Sequence, residues 1–186
     1  MSTSTRITLA TYEEMILRGE FEPREEHQVE LIYGEITAMS PIYPPHEYSV
    51  DFLCYWSIDH APRAAVHVRT QGSFSIPLLD SLPQPDIVWL RREDYSRTRP
   101  LPDHVLLVIE VSDSSLAKDR GVKARLYAEG GIADYWIVNV RDRCVEVHRD
   151  PFGSSYRSIE VVRAGQEVRP LAFPEIALDV ERIFPS

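Results

Sequence analysis

Two segments of the chain, LPQPDIVWL (82–90) and HVLLVIEVSDSSLAKDRGVKARLYAEGGIADY (104–135), predict the centre of the fold. Each contains a short run of apolar, mostly β-branched residues with one carboxylate at its end: Asp86 opens the first run and Glu110 closes the second. Such runs, bounded by proline, aspartate and serine, are typical of buried strands. A carboxylate at a buried strand end is costly unless something cationic neutralises it. We therefore expect positive charge close to both acids.

The residues after the second strand predict a helix from Ala117 to Glu129, which Gly130-Gly131 would end. Lys118 and Lys123 lie on this helix and are the only lysines of the chain, although arginine is plentiful. The 3.6-residue repeat turns Lys118 about 140° away from Lys123. Helical phase therefore favours Lys123 as the lysine that meets the acids.

Two strand-borne carboxylates and a helix-borne lysine predict a metal-dependent hydrolytic site. Magnesium prefers hard oxygen ligands, commonly one or two carboxylates completed by water and substrate phosphate. Each residue also has a purely structural interpretation. Asp86 would start a strand, Glu110 would pair with an arginine, and Lys123 would lie on a solvated helix face.

Length and composition limit the class of protein. At 186 residues the chain suits one domain, spanning 1–186, with a real core. Cys54 and Cys144 are too few for a disulfide framework, so we expect reduced thiols in a cytoplasm. No run is apolar enough to span a membrane, and no signal peptide is recognisable. The net charge of −9 excludes a strong non-specific nucleic-acid binder but not a nuclease.

The remaining elements are predicted from periodicity and turn residues. They are a helix over 12–18 with a capping box at Thr11–Glu14, a polar loop over 20–27, a β-hairpin over 28–39 around Gly34, a helix over 47–60, strands over 65–68, 74–78, 134–140, 143–149 and 156–163, and a tail over 173–184 packed on the body as a strand or short helix. The loop from Arg91 to Pro102 carries four arginines. It is interpreted as a solvated loop or as a phosphate-contacting patch.

Several of these motifs together resemble one known family. The matching motifs are VELIYGEI (29–36), SPIYPPH (40–46), QPDIVWL (84–90), LLVIEVSDSS (106–115) and KDRGVKARLYAEGGIADYWIV (118–138). They look like the Uma-two family (DUF820-type), a largely bacterial group of the PD-(D/E)XK restriction-endonuclease-like superfamily. The resemblance covers roughly 14–140. It implies an α/β fold with a restriction-endonuclease-like core: a mixed central β-sheet flanked by helices, with extra β-hairpins.

The resemblance also implies roles for the central residues. Asp86 matches the aspartate of the PD motif and Glu110 the second acid, so both would bind Mg²⁺ or Mn²⁺. The superfamily's usual lysine position is occupied by Ser112. This pattern is similar to members in which the lysine has moved to the following helix, where Lys123 matches. Lys123 would orient the attacking water or stabilise the transition state.

Five further residues are auxiliary candidates. Asp119 and Tyr127 share a helix face with the lysine and would hold it; the alternative is a surface pair with a packed tyrosine. By resemblance Glu30 joins the acidic centre, although an exposed strand charge is the plain alternative. His46 matches a recurring histidine that would bind metal or phosphate, and otherwise only starts a helix. Gln71 would touch the attacking water.

The resulting hypothesis is a metal-dependent endonuclease that hydrolyses phosphodiester bonds of nucleic acid, with DNA as the expected partner. A homodimer is expected because cutting both strands of a duplex usually needs two sites; Leu78 to Leu82 or the tail would supply the contact. One alternative is a catalytically inactive interaction protein that keeps the fold. Another is an enzyme with a different substrate, because fold does not determine function.

Overall fold

The central sheet has six strands and is mixed. A computed structural model describes residues 6–21 and 29–185 of the chain. The strands lie in the order β3-β4-β5-β6-β7-β8, with β5 and β6 parallel and every other pair antiparallel. Their bounds are β3 Val66–Thr70, β4 Ile87–Arg91, β5 Val105–Ser112, β6 Asp134–Asn139, β7 Cys144–Phe152 and β8 Ser155–Arg163.

Helices cover both faces of this sheet. Helix α1 spans Leu9–Leu17 and α2 spans Pro44–His60. Between β5 and β6 the chain forms one continuous helical segment: α3 (Leu116–Lys118), a π-helical turn (Asp119–Lys123) and α4 (Ala124–Glu129). The predicted helix over 117–129 is therefore present, but its middle has the wider π geometry.

Alternation along the strands divides the core into two layers. In β4, Ile87 and Trp89 pack with α2, whereas Val88 and Leu90 pack with α4 on the opposite face. Asp86 lies two residues before Val88, so the alternation directs it to the α4 face. The predicted α/β fold, a mixed sheet flanked by helices, is confirmed. The alternation of side chains along β4 directs Asp86 toward the helical segment.

A two-stranded hairpin, β1 (Val29–Ile32) and β2 (Glu35–Ala38), packs beside the sheet. Its turn residues Tyr33 and Gly34 both have positive φ, which is the type I′ pattern of tight hairpins. A Cβ at Gly34 would come within 2.8 Å of the Ile7 carbonyl oxygen, so glycine is required there. Leu31 pairs with Leu82, and this bridge attaches the hairpin to the loop that leads into β4.

The last elements close the second face. The pair β9 (Glu167–Val168) and β10 (Leu178–Asp179) is followed by a 3₁₀ turn over Val180–Ile183. Val180 is buried in the α2 layer of the core. The expectation that the tail packs on the body is confirmed.

Three local predictions were wrong. Helix α1 begins at Leu9 because Thr8 is its N-cap, so the capping box at Thr11 does not start it. Helix α2 begins at Pro44, whose fixed φ suits the first helical turn. Residues 74–78 are not a strand, because Ile76 makes only an isolated bridge and a 3₁₀ turn follows.

The predicted strands 65–68, 134–140, 143–149 and 156–163 and the hairpin around Gly34 are confirmed within a few residues. Cys54 and Cys144 are free thiols. Of the predicted loop over 20–27 and hairpin start at Gln28, residues 22–28 lie outside the described part of the chain. Across residues 6–21 and 29–185, no helix combines the length and apolar character needed to cross a bilayer.

Candidate active site

The acids Asp86 and Glu110 lie at neighbouring strand ends. In the antiparallel pairing of β4 and β5, Ile87 is opposite Ile109, which brings the two acids together just beyond this pair. Only 7% of Asp86 and 4% of Glu110 is exposed. The Val111 N–H donates to Asp86 Oδ2 at 2.7 Å and holds that carboxylate in place.

The helical segment supplies the cation for Glu110. The Lys123 Nζ donates to Glu110 Oε1 at 2.8 Å, and the Tyr127 hydroxyl donates to the same oxygen at 2.7 Å. Lys123 and Tyr127 are themselves buried. Tyr127 thus positions the acid and not the lysine, which corrects the role expected from the shared helix face.

The second lysine also reaches the cluster, contrary to the prediction from helical phase. Lys118 Nζ lies 2.7 Å from Glu30 Oε1. The π-turn explains the error, because the Ala124 N–H bonds to the Asp119 carbonyl five residues back. A π-turn is wider than an α-turn, so Lys118 and Lys123 are turned less far apart than the roughly 140° of an α-helix, and both reach Glu30.

Glu30 connects both lysines. Its Oε2 lies 3.4 Å from Lys123 Nζ and accepts the Gln84 N–H at 3.2 Å. The Glu30 side chain is fully buried, so the alternative of an exposed strand charge is wrong. The hairpin brings it here, because the bridge between Leu31 and Leu82 places β1 beside the loop before Asp86.

Asp119 is held by hydroxyl groups. Ser112 Oγ donates to Asp119 Oδ2 at 2.7 Å, and Ser115 Oγ donates to the same oxygen at 2.5 Å. Within the described residues, no hydrogen bond joins Asp119 to a lysine, so its expected role of holding Lys123 is not seen. Ser112, which occupies the superfamily's usual lysine position, instead supports this neighbouring acid.

His46 lies beside Asp86, whereas Gln71 does not enter the site. His46 Nε2 is 3.4 Å from Asp86 Oδ2, and its buried Nδ1 has no partner among the described residues. Burial lowers the pKa of His46, but Asp86, with smaller contributions from Asp119 and Asp113, raises it more, so the net shift is upward. The Gln71 backbone N–H donates to the Asp86 backbone carbonyl. Gln71 is not among the residues that line the small cavity beside Asp86 and Glu110.

The cluster contains more acid than base. Four carboxylates and two lysines line one small cavity: Glu30, Asp86, Glu110, Asp119, Lys118 and Lys123. Burial raises the pKa of Glu110 to about 8 despite the nearby Lys123. Burial lowers the pKa of Lys123, yet Glu110, Glu30 and Asp119 raise it more, so the ammonium persists at neutral pH. Burial also raises the pKa of Asp119. The cluster therefore retains a proton, most readily on Glu110.

The two central acids that line the cavity each have an oxygen suited to a hard divalent cation. Asp86 Oδ1 and Glu110 Oε2 accept no hydrogen bond within residues 6–21 and 29–185, while the other oxygen of each carboxylate is held. The cavity of about 40 Å³ has room for roughly two or three water-sized groups. Within the described residues, no group of three or more histidine, cysteine or acidic side chains is arranged to hold a metal. Two carboxylates completed by water and phosphate are what Mg²⁺ commonly uses.

Sequence reasoning ranked Lys118 behind Lys123 and gave no role to Ser112 or Ser115. The rarity of lysine in this chain was a usable signal for Lys118, because both lysines fall five residues apart in one segment. The serines carried no such signal, since a hydroxyl beside a helix start is common in loops and caps.

The fold and the site together define a class: an α/β protein of the nuclease-like type, with acids and lysine at its sheet centre. A family model described as "Putative restriction endonuclease", Uma2, matches residues 9–181. The chain belongs to the Uma2 family, which confirms the resemblance to the Uma-two family drawn from the motifs.

One solved structure is similar over nearly its whole length. It is the crystal structure of "a putative nuclease belonging to DUF820" from Anabaena variabilis. The TM-score is 0.72 at 18% identity, covering 96% of this chain and 97% of that one. This likeness confirms the fold. The search of curated proteins found no match.

Proposed function

We propose that this protein is a metal-dependent endonuclease that hydrolyses phosphodiester bonds of nucleic acid. One observation carries the proposal: two adjacent buried carboxylates, Asp86 and Glu110, each have one oxygen held by the protein and one that accepts no hydrogen bond within the described residues, and both acids line a cavity beside Lys123. Most buried polar atoms have at least one hydrogen-bond partner, so two adjacent oxygens without one point to a ligand. An unused pair of hard oxygens next to a cation is the arrangement that metal-assisted phosphate chemistry requires.

Asp86 and Glu110 would hold Mg²⁺ or Mn²⁺. When bound, such an ion polarises a phosphoryl oxygen and lowers the pKa of the attacking water. Tyr127 fixes the orientation of Glu110 by its 2.7 Å hydrogen bond, and the Val111 N–H fixes that of Asp86. His46, 3.4 Å from Asp86, supports the same carboxylate and lies close enough to contact phosphate.

Lys123 acts as a fixed positive charge. Its raised pKa keeps it protonated at neutral pH, so it does not accept the proton of the attacking water. An ammonium group held against Glu110 and Glu30 is preorganised to stabilise negative charge that develops on the phosphate. Glu30 is a positioning residue for both lysines, and Asp119 contributes to the field that keeps Lys123 charged.

DNA is the proposed substrate and the homodimer the proposed assembly. Family membership supports nucleic acid, and two copies would supply the two sites needed for a duplex. Leu78 supports a contact surface, because 98% of it is exposed, whereas Leu82 is buried. Light scattering of the purified protein tests the assembly, and a monomer at all concentrations contradicts it.

The activity test compares isosteric variants. Wild-type protein with Mg²⁺ or Mn²⁺ should cleave plasmid DNA and oligonucleotides. Asp86→Asn should lose at least about 100-fold in rate, and Lys123→Met about 100-fold in kcat. Glu160→Gln, an exposed acid on the distant strand β8, is the matched control and should match wild type.

The alternative is a non-catalytic interaction protein. Its supporting feature is that Ser112 stands where the superfamily usually has a lysine. Pure wild-type protein that neither cleaves DNA or RNA nor binds Mn²⁺ in calorimetry would leave this alternative and exclude the nuclease.

A further inference from the structure

A second cavity adjoins the candidate site. It has a volume of about 350 Å³, and Lys118 lines both cavities. The inner cavity, at about 40 Å³, is too small for a nucleotide. Any strand whose phosphate enters the site must therefore place its neighbouring nucleotides outside it. The second cavity lies within the size range of small-molecule sites.

Its lining has the chemistry that a nucleotide requires. Tyr33 and Arg125 both line it, and the Arg125 guanidinium lies over the Tyr33 ring, 5.6 Å from its centre. Aromatic faces and arginine planes both stack on bases, and the arginine adds a cation. The site therefore offers a stacking surface and a phosphate contact in the same place.

Tyr33 is held in position before any ligand arrives. Its hydroxyl donates to Glu129 Oε2 at 2.9 Å, and its backbone N–H donates to Ser81 Oγ at 2.7 Å. The tight turn also fixes its backbone in the left-handed region, with φ of +50°. A base that stacks here would not have to order the ring, which reduces the entropic cost of binding.

The local charge favours a phosphodiester chain. Three cations, Arg6, Lys118 and Arg125, line the cavity with two acids, Glu35 and Glu129. Each cation is also paired with an acid, Arg6 with Glu35, Lys118 with Glu30 and Arg125 with Glu129, so the surroundings are about neutral, whereas the whole chain carries −9. This part of the surface is therefore less acidic than the chain as a whole, which favours the approach of a phosphate backbone to Lys118 and Arg125.

We propose that this cavity is a subsite for the nucleotide next to the scissile phosphodiester, with its base on Tyr33 and its flanking phosphate on Arg125 and Lys118. The inference rests on the proposed nuclease function. It adds a substrate-binding element on the hairpin and on α4, outside the acidic centre.

The test uses oligonucleotide binding and steady-state kinetics. Tyr33→Leu removes the ring and Arg125→Gln removes the cation, while Tyr33→Phe keeps the ring. Each should be compared by fluorescence anisotropy of a labelled single-stranded DNA oligonucleotide and by KM and kcat for its cleavage. Tyr33→Leu and Arg125→Gln should weaken binding and raise KM about tenfold, with a smaller change in kcat. Tyr33→Phe should stay within about twofold of wild type.

The chain offers a matched control pair at the far edge of the sheet. On β8, Arg157 lies 3.7 Å above the Phe152 ring, with Asp150 as its acidic neighbour. The side chains of Arg157 and Arg125 are 55% and 63% exposed, respectively. Arg157→Gln and Phe152→Leu therefore remove an equivalent arginine and an aromatic ring, and both should leave binding and KM unchanged.

The outcomes separate the two proposals. If wild type cleaves DNA and Tyr33→Leu has the same affinity and KM, the subsite is wrong and the nuclease remains. If wild type neither binds nor cleaves nucleic acid, both proposals fall. Should Tyr33→Leu not fold, ultraviolet crosslinking of wild type to a 5-iodouracil oligonucleotide decides: crosslinks at Tyr33 support the subsite, and crosslinks only elsewhere refute it.

Discussion

Two buried glutamates in the same row of the sheet have opposite environments. Glu110 on β5 and Glu146 on β7 are both paired with Ile137 of β6, which lies between them. Only 4% of Glu110 and 5% of Glu146 is exposed. Both receive a cation from the same π-turn, Lys123 for Glu110 and Arg120 for Glu146.

The difference lies in how many of their oxygens are used. Both Glu146 oxygens accept from the Arg120 fork, and Oε1 also receives the Asn139 amide at 3.5 Å. Glu110 has donors on Oε1 only, within the described residues. Burial raises the pKa of Glu110 to about 8. For Glu146, burial acts upward, but His148, whose Nε2 lies 3.9 Å away, and the hydrogen-bonded Arg120 guanidinium lower its pKa to about 2. An acid whose two oxygens both accept hydrogen bonds stabilises the fold, whereas an acid with one oxygen free of hydrogen bonds remains available for a ligand.

The largest expected effect is on activity. Glu110→Gln should reduce nuclease activity at least about 100-fold, because an amide cannot lose a proton to give the carboxylate that would hold the cation. Stability at pH 7 should change by less than about 1 kcal/mol, because Gln resembles the protonated Glu110 and Oε1 still accepts both hydrogen bonds. Cleavage assays and chemical denaturation measure the two quantities, and equal activity in both proteins would refute the assigned role.

The pH dependence of unfolding should have opposite sign at the two acids. The folded pKa of Glu110 lies above its unfolded value of 4.5, so the native state keeps a proton that the unfolded state releases. Its contribution to stability is therefore present below pH 4.5 and is lost as pH rises toward 8. The Glu146 pKa is lowered instead, so its contribution is present above pH 4.5 and is lost as pH falls toward 2.

Thermal melts from pH 2 to 9 in the presence of a chelator measure how stability changes with pH on each side of pH 4.5. Relative to wild type, Glu110→Gln should flatten the curve between pH 4.5 and 8, and Glu146→Gln should flatten it between pH 4.5 and 2. If both variants changed the pH dependence of stability in the same pH range, the opposite pKa shifts of the two acids would be refuted.

A moderate effect is expected on stability. Glu146→Gln should lower the free energy of unfolding by about 1–2 kcal/mol, because it weakens a charge-assisted fork whose arginine is half exposed. The activity of the folded fraction should stay within about twofold of wild type, since Glu146 does not line the cavity. A 100-fold loss of activity in stably folded Glu146→Gln protein would show that Glu146 is not a purely structural acid.

The smallest effect is expected at Arg120. Arg120→Lys keeps the charge but loses the planar fork to Glu146, which should cost about 0.5 kcal/mol. Urea denaturation with a constant m-value measures this loss. Arg125 pairs with Glu129 through one hydrogen bond, so Arg125→Lys is the control and should lower the free energy of unfolding by less.

The sequence predicted most of the elements and residues that form the candidate site. Short continuous apolar runs located β4 and β5, and the acids at their ends were recognised because polar residues stand out in buried strands. Helical spacing then favoured Lys123. The same spacing ranked Lys118 second, because it assumes 3.6 residues per turn where the chain adopts a π-turn. The roles of these residues in catalysis stay predictions.

Local sequence could not distinguish Glu110 from Glu146. Both sit in nearly identical surroundings, VIEV (108–111) and CVEV (144–147). Which one keeps an unused oxygen depends on whether an arginine fork or a single ammonium lies above it. That in turn depends on the rotation of a helical segment, which packing against the sheet decides.

The amino-acid sequence alone determined the α/β class, the family and the two acids at adjacent strand ends, because burial periodicity and motif spacing are local properties of the chain. Only the tertiary structure decided that Lys118 also reaches those acids, that Glu30 lies buried against both lysines and that the cavity of Tyr33 lies beside them. The physical reason is that hydrogen bonds and cavities form between segments far apart in sequence. The hairpin and the π-turn meet Asp86 only through the bridge at Leu82 and the packing of α4 on the sheet.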